Sequence, residues 1–156
     1  MVILMRVDDR LVHGQVAFTW TKTLGVEAIV VANDVAANDS INKMALKMAA
    51  PAGVKMAIKT VEGAIELLNN PKAKDKRIFV VVKNTTDALE IVENVPGIEN
   101  VNIGGIKKEE GKEMLTPAVF INDLDKENLR KISNLVSEVE IRQVPTDEKK
   151  YVKNII

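Results

Sequence analysis

Cysteine is absent from the 156-residue chain, and histidine occurs only once. Without cysteine the protein has neither disulfide bridges nor thiolate metal sites. A transition-metal site would have to rest mainly on carboxylates, so we expect no metal and no other cofactor. A Walker sequence and a dinucleotide fingerprint are also missing, because Gly104-Gly105 has no third glycine and no helix signal after it.

An excess of charge of one sign is missing as well. The chain has 22 Lys and Arg against 22 Asp and Glu, which gives a formal net charge of zero. A strong nucleic-acid binder would show a clear basic excess. We therefore expect no nucleic-acid partner.

Long apolar runs do not occur. Runs such as Ala28–Ala32 and Ile78–Val82 are far shorter than the roughly 18–20 residues of a membrane-spanning helix. The apolar start, Met1–Met5, lacks a leading basic region and reaches Arg6 too early for a signal peptide. We expect a cytoplasmic protein that works at a membrane only by docking to another subunit.

What remains is a globular composition, with 46% apolar and 28% charged residues. No linker and no internal repeat interrupts the chain, so residues 1–156 are expected to form one domain. The predicted strands are Val2–Val7, Glu27–Ala32, Val54–Ile58, Ile78–Val82, Val101–Ile103, Ala118–Ile121 and Val139–Val144.

Helical periodicity separates these strands. One helix spans Gly14–Leu24, and the others begin at Asp39 or Ser40, at Thr60, at Asn84, and at Asp123 or Asp125. This alternation predicts an α/β fold: a single-domain, open, mostly parallel twisted sheet of about six or seven strands with helices on both faces. A ligand site is then expected beyond the carboxyl ends of the strands.

Three segments carry predictions of their own. The pair Met44 and Met48 has helical spacing and is interpreted as core filling. The charged stretch Lys107–Glu113 is interpreted as a solvated loop, and Asp147–Ile156 as either a short helix or a docked tail.

The stretch that could carry chemistry is Arg6–Val16, at the turn from the first strand into the first helix. It holds two arginines, two aspartates and the only histidine, His13. A neutral imidazole is a capable nucleophile near neutral pH, since its unperturbed pKa is about 6.5. Gly14 permits close approach of the backbone, and the first-turn N–H groups would face a phosphoryl group on the ring. Arg10 could pair with the oxygens of that phosphoryl group, and Asp8 or Asp9 could hold Arg10 or fix the tautomer of the His13 ring.

Each feature also has an ordinary structural interpretation. A lone histidine in a loop is more often solvated or hydrogen-bonded than nucleophilic, and Arg–Asp clusters are usually surface ion pairs worth less than about 1 kcal/mol. The pair Asn33-Asp34 could face the same crevice or form a turn. The spacing of these residues leaves both interpretations open.

The segment Arg6–Val16 resembles the active-site segment of IIB components in the mannose/fructose/sorbose family of bacterial phosphotransferase systems. Further segments resemble the family in the same order: 31–39, 47–51, 101–105 and 139–145. The similarity thus covers nearly the whole chain. Within the first segment only Val12 differs from a common family residue, isoleucine.

The resemblance implies a phosphotransferase in which His13 is phosphorylated on Nδ1 by the phosphohistidine of a IIA protein. The group would then pass to a sugar held by membrane IIC and IID subunits, which choose the sugar. Arg10 and Asp8 would act with His13, while Arg6, Gly14, Gln15 and Asn33 would bind or support the phosphoryl group. The resemblance leaves a homodimer open.

Two other functions compete with this one. An α/β enzyme could use His13 as general acid/base on a small phosphorylated metabolite, which would give substrate turnover without a stable phosphoprotein. A non-catalytic regulatory module could use the loop only to grip an anion, and its biology would survive replacement of His13.

Overall fold

The computed structural model describes all residues from Met1 to Ile156. Its nine strands are β1 (Val2–Asp8), β2 (Ala28–Ala32), β3 (Lys55–Lys59), β4 (Ile78–Val82), β5 (Asn100–Gly105), β6 (Glu113–Thr116), β7 (Val119–Ile121), β8 (Glu138–Ile141) and β9 (Lys150–Tyr151). Its six α-helices are α1 (Gly14–Leu24), α2 (Asp34–Asn38), α3 (Ser40–Met48), α4 (Val61–Asn69), α5 (Thr85–Asn94) and α6 (Asp123–Leu135).

Seven strands form one sheet in the order β3-β2-β4-β1-β5-β8-β9. The first six are parallel, and β9 joins the edge antiparallel to β8. Strands β6 and β7 form a separate antiparallel pair. The predicted open, mostly parallel α/β sheet is confirmed.

Both faces of the sheet carry an apolar core, as parallel sheets require. Helices α1 to α3 cover one face, and α4 to α6 cover the other. The buried apolar helix residues are Ala17, Trp20, Ala36 and Leu46 on the first face, and Val61, Ala64, Leu68, Ala88, Leu89, Ile91, Val92, Leu129 and Ile132 on the second.

Strand β1 lies where the chain connections diverge. The connection from β1 runs through α1 to β2 on one side, while that from the neighbouring β5 runs through α6 to β8 on the other. The carboxyl end of β1 is therefore at a topological switch point, which is where open α/β sheets bind their ligands.

The interpretation of Met44 and Met48 as core filling is wrong. Their exposed fractions are 64% and 81%, and Ile41 is 80% exposed, whereas Leu46 of the same helix is buried. Helix α3 has apolar residues on two faces, so periodicity alone does not decide which face turns inward. The short helix α2, which the sequence did not predict, directly precedes α3 and contacts it.

The structure also shows what segments 107–113 and 147–156 form. The stretch interpreted as a solvated loop ends in β6, which begins at Glu113 and pairs with β7. The last residues form a docked tail: β9 pairs with β8, and Val152 in the following 3-10 turn is fully buried. The longest helix, α6, has 13 residues, and no helix has the length and apolar character to cross a bilayer.

Candidate active site

Strand β1 delivers two charged side chains to the face covered by α1. Successive strand residues alternate between faces, so Met5 and Val7 enter the core under α5 while Arg6 and Asp8 point the other way. Arg6 is 2% exposed and Asp8 is fully buried. The Arg6 NH2 group donates to Asp8 Oδ2 at 3.0 Å, which pairs the two buried charges.

The loop from Asp9 to His13 is tightly fixed. Leu11 has a φ of 57°, a left-handed conformation that costs a branched residue about 1–2 kcal/mol. Its buried side chain and its N–H bond to the Asp8 carbonyl at 2.9 Å hold it there. Asp9 ties the loop to the end of β5, because its Oδ2 accepts from the Lys107 N–H at 2.8 Å and its N–H donates to the Gly105 carbonyl.

His13 lies at the end of this loop with a quarter of its side chain exposed. Its Nε2 lies 3.1 Å from Asp8 Oδ2. An ionised carboxylate can only accept, so Nε2 carries the proton and Nδ1 of the neutral ring is left with a free lone pair. No hydrogen bond engages Nδ1. The geometry thus presents Nδ1 as the nucleophilic atom.

Asp8 stays ionised although it is buried. Burial alone would raise the pKa of Asp8, but the Arg10 backbone N–H, the Arg6 charge and His13 together outweigh it and hold the pKa below its usual value. Burial lowers the pKa of Arg6, and the charge of Asp8 opposes that shift. The two groups therefore keep each other charged, and Asp8 remains an acceptor for His13 at neutral pH.

The amino terminus of α1 differs from those of the other helices. Asn33, Asp39, Thr60, Asn84 and Asn122 cap α2 to α6 with their side chains, whereas His13, the N-cap of α1, forms no such bond. No acidic residue occupies the first turn of α1. Its N–H groups and the positive end of its dipole are thus free to meet an anion.

The other predicted site residues divide into two groups. Arg10 has a 54% exposed side chain whose only polar contact is from Nε to Asp8 Oδ1 at 3.5 Å, so its terminal nitrogens are free. Gly14 follows His13 with a φ of 45° and open space beside it, and Gln15 is exposed. Asn33 is not brought to His13: its side chain accepts from the Ala36 N–H and caps α2.

Sequence reasoning missed a row of polar side chains that crosses the sheet beneath the site. Arg6 of β1 is in register with Asn102 of β5, which is in register with Glu140 of β8. We name Arg6, Asn102 and Glu140 the strand row. All three are at most 2% exposed. The available signal was an amide and a carboxylate that alternate with apolar residues in these strands, but only the strand order shows that they meet.

Two further residues, Arg142 and Trp20, contact the strand row. The Arg142 guanidinium binds both carboxylate oxygens of Glu140 at 3.0–3.1 Å. The Trp20 ring lies between two cations, 5.3 Å from Arg6 and 5.1 Å from Arg142. Its Nε1 donates to the Gln143 carbonyl at 2.9 Å. Trp20 thus fixes both guanidinium planes.

Gly104 makes room for this arrangement. A side chain at that position would overlap the Arg6 guanidinium, which lies directly over the β5 backbone. At Gly105 an added Cβ would meet only ordinary contacts, the nearest being Asp8 Oδ1 at 3.6 Å. Of the two glycines, Gly104 is therefore the one that close packing of the Arg6 side chain requires.

Together these features define a class of protein: an α/β domain with an oriented histidine, a free arginine and an uncapped helix end at its switch point. That combination suits transient binding of a phosphoryl group to a side chain.

Comparison with known proteins agrees with this class. Residues 2–156 match the family model of the PTS system sorbose subfamily IIB component. A probable phosphotransferase enzyme IIB component of Streptococcus pyogenes is 41% identical over all of this chain and 99% of its own length. The mannose-specific EIIAB component of Escherichia coli is 39% identical over all of this chain, which spans 49% of that protein.

A solved structure gives the same result. The IIB domain of the sorbose permease from Klebsiella pneumoniae superposes with a TM-score of 0.93 at 32% identity, covering 99% of this chain and 94% of that one. The chain belongs to the sorbose subfamily of phosphotransferase system IIB components. Members of this family are phosphotransferases in sugar transport.

Proposed function

We propose that His13 is the phosphoryl carrier of this IIB component, accepting the group on Nδ1 and releasing it to a sugar. The observation that carries the proposal is the bond from His13 Nε2 to Asp8, which leaves Nδ1 unprotonated on a side chain that is a quarter exposed. Arg10 and the free end of α1 are the nearby positive groups.

The first transfer moves the phosphoryl group from the phosphohistidine of a IIA protein. The N–P bond on the donor breaks as a bond from His13 Nδ1 to phosphorus forms, and the donor imidazole keeps the electron pair. Asp8 stabilises the positive charge that the His13 ring gains. Arg10, whose terminal nitrogens are free, and the α1 N–H groups face the charge on the transferring group.

The second transfer reverses the role of His13. A sugar hydroxyl attacks phosphorus, the bond to Nδ1 breaks, and the hydroxyl proton leaves to a base. We infer that the sugar is held by membrane IIC and IID subunits, and that residues 1–156 act as one cytoplasmic unit that docks to them.

The shape of the site supports a protein donor over a small free substrate. None of the five main surface cavities, with volumes of about 130–450 Å³, is lined by His13 or Arg10. Small-molecule sites usually enclose most of their ligand in a cleft. His13, with a quarter of its side chain exposed, can instead be approached by the histidine of another protein.

Intact-mass spectrometry tests the proposal. The protein is incubated with phosphoenolpyruvate, the soluble donor proteins of the system and a IIA protein that is itself phosphorylated. We expect one acid-labile gain of about 80 Da in the wild type and none in His13→Ala.

Each other outcome contradicts part of the proposal. A gain that survives in His13→Ala would place the phosphoryl group on another residue. No gain in the wild type beside a phosphorylated IIA of the same subfamily would overturn the carrier role. Transfer from phosphorylated wild type to sugar in vesicles containing the IIC and IID subunits tests the second step.

A further inference from the structure

Glu140 is buried at the far end of the strand row from His13, and the phosphoryl-transfer step described above does not use it. We propose that Glu140 is a positioning residue for His13, acting through Asn102, Arg6 and Asp8. This inference rests on the proposed carrier role of His13, and it goes beyond that role by naming what orients the ring.

The connection begins with the Asn102 amide. Asn102 Nδ2 donates to Glu140 Oε1 at 3.0 Å and to the Arg142 carbonyl at 3.1 Å, and its Oδ1 accepts from Arg6 NH1 at 2.7 Å. An ionised carboxylate can only accept, so Glu140 requires the NH2 end of the amide to face it. The carbonyl end must then face Arg6.

Arg6 carries this orientation to the site. One terminal nitrogen bonds to Asn102 and the other to Asp8 Oδ2, which also receives His13 Nε2. Because the guanidinium is planar and stacks on Trp20, it cannot satisfy one partner while turning from the other. The rotamer of Asp8, and with it the tautomer of His13, therefore depends on the orientation of Asn102.

Charge leads to the same conclusion. The strand row and its neighbours pair buried Arg6 with Asp8 and the partly exposed Arg142 with buried Glu140, which balances two cations with two anions. Buried ion pairs seldom stabilise more than apolar residues of equal size. Placement of the histidine explains why these charges lie inside the sheet.

The substitution Glu140→Gln is the test. Glutamine keeps the size and shape of the glutamate side chain, but its amide can donate as well as accept, so the NH2 and carbonyl ends of the Asn102 amide can exchange places. The chain has one histidine, so a ¹⁵N spectrum of the ring reports its tautomer without assignment. We expect wild type to hold the proton on Nε2 and Glu140→Gln to mix both tautomers. The rate constant for phosphorylation by phospho-IIA should fall about tenfold, with KM for that donor within about twofold.

A rescue variant separates positioning from general damage. In Glu140→Gln with Asn102→Asp, the new carboxylate accepts from Arg6 and from the amide introduced at position 140, and the number of charges is restored, while the Arg142 carbonyl loses its donor at position 102. We expect this double variant to recover the wild-type tautomer and part of the rate. Thr85→Val, which removes a buried hydrogen bond elsewhere, should lower stability and leave the ring spectrum unchanged.

The tautomer measurement needs no phosphoryl donor, so it stands apart from the carrier role. A single Nε2–H tautomer in Glu140→Gln, or an unchanged phosphorylation rate constant, would overturn the positioning role. If Glu140→Gln does not fold, the double variant Glu140→Gln with Asn102→Asp takes its place in the test. A mixture of His13 tautomers in the folded double variant would then also overturn the positioning role. Absence of phosphorylation in wild type would contradict the carrier role instead.

Discussion

Two buried polar clusters lie on opposite faces of the sheet, and they differ in where their hydrogen bonds end. The strand row continues through Asp8 to His13, whose side chain is a quarter exposed. The second cluster, which we name the helix cluster, consists of Thr85, Asp125 and Asn128 and joins α5 to α6.

The helix cluster ends at other residues: Asn128 also donates to the Thr86 hydroxyl at 3.2 Å, and Asp125 Oδ2 lies 3.8 Å from Lys112 Nζ. The Thr85 hydroxyl donates to Asp125 Oδ1 at 2.6 Å and accepts from Asn128 Nδ2 at 3.1 Å, while Asp125 also completes the capping box of α6. No bond leads from it to the surface at His13. Burial and hydrogen bonding therefore do not identify a functional cluster by themselves; its connection to an accessible reactive atom does.

The largest effect is expected from Asp8→Asn. The change leaves Arg6 buried without a counter-charge, which typically costs about 3–5 kcal/mol, and frees the His13 ring. Urea unfolding and the rate of phosphorylation should both register the loss. Asp125→Asn is the matched change in the helix cluster. It should lower the free energy of unfolding by less and leave the phosphorylation rate within about twofold of wild type. An equal loss of rate in the two variants would show that the two clusters do not differ in this respect.

The same carboxylate gives a pH dependence. The pKa of Asp8 is lowered in the folded protein, so its contribution to stability is present above the unfolded pKa of about 3.9 and is lost as pH falls through the lower folded pKa. We expect the unfolding free energy of Asp8→Asn to depend less steeply on pH below about 4 than that of wild type. If the unfolding free energies of wild type and Asp8→Asn, measured with urea, changed in parallel with pH, this expectation would be contradicted.

A smaller loss is expected from Gly104→Ala. The methyl group would overlap the Arg6 guanidinium, and over-packing of this kind costs about 1–3 kcal/mol. Because Arg6 must move, phosphorylation of His13 should slow as well. Gly105→Ala is the neighbouring control with ordinary contacts only, and equal effects at the two glycines would show that Arg6 is not closely packed there.

Thr85→Val should weaken the helix cluster alone. Asp125 keeps its bond from the Asn122 N–H and Asn128 keeps Thr86, so the cost should be near the lower end of about 1–3 kcal/mol for an unpaired buried group. Thermal unfolding measures this cost, and the phosphorylation rate should stay at the wild-type value. A slowed rate would link the two clusters and break the comparison.

The smallest effect is expected from Asp87→Asn at the start of α5. Burial, followed by the charges of Asp34 and Glu90, raises the pKa of Asp87, so ionising it costs stability as pH rises. Removing the charge should stabilise the protein at neutral pH by a few tenths of a kcal/mol, since solvent screens this half-buried group. Denaturant titrations of Asp87→Asn should show a gain in unfolding free energy over wild type at pH 7 and a smaller gain at pH 4. A lower unfolding free energy than wild type at pH 7 would contradict this prediction.

The sequence predicted the site where its determinants are local. The turn from β1 into α1 places Asp8, Arg10 and His13 within six positions, so one segment holds the proposed reactive group and its nearest partners. The strand row could not be predicted, because Arg6, Asn102 and Glu140 meet only in the strand order β1-β5-β8, which periodicity does not contain. The exposure of the α3 methionines could not be predicted for a related reason, since α3 has apolar residues on two faces and only the packing of Leu46 into the core shows which face turns inward.

The carrier role depends on Asp8 holding the proton on Nε2, which leaves Nδ1 to bond to phosphorus. ¹⁵N and ³¹P spectroscopy of the phosphorylated, ¹⁵N-histidine-labelled protein measures this directly through the nitrogen–phosphorus coupling of its only histidine. We expect a phosphoryl group on Nδ1 and a proton on Nε2. A phosphoryl group on Nε2 would contradict this assignment, because the bond to Asp8 would then have to break before transfer.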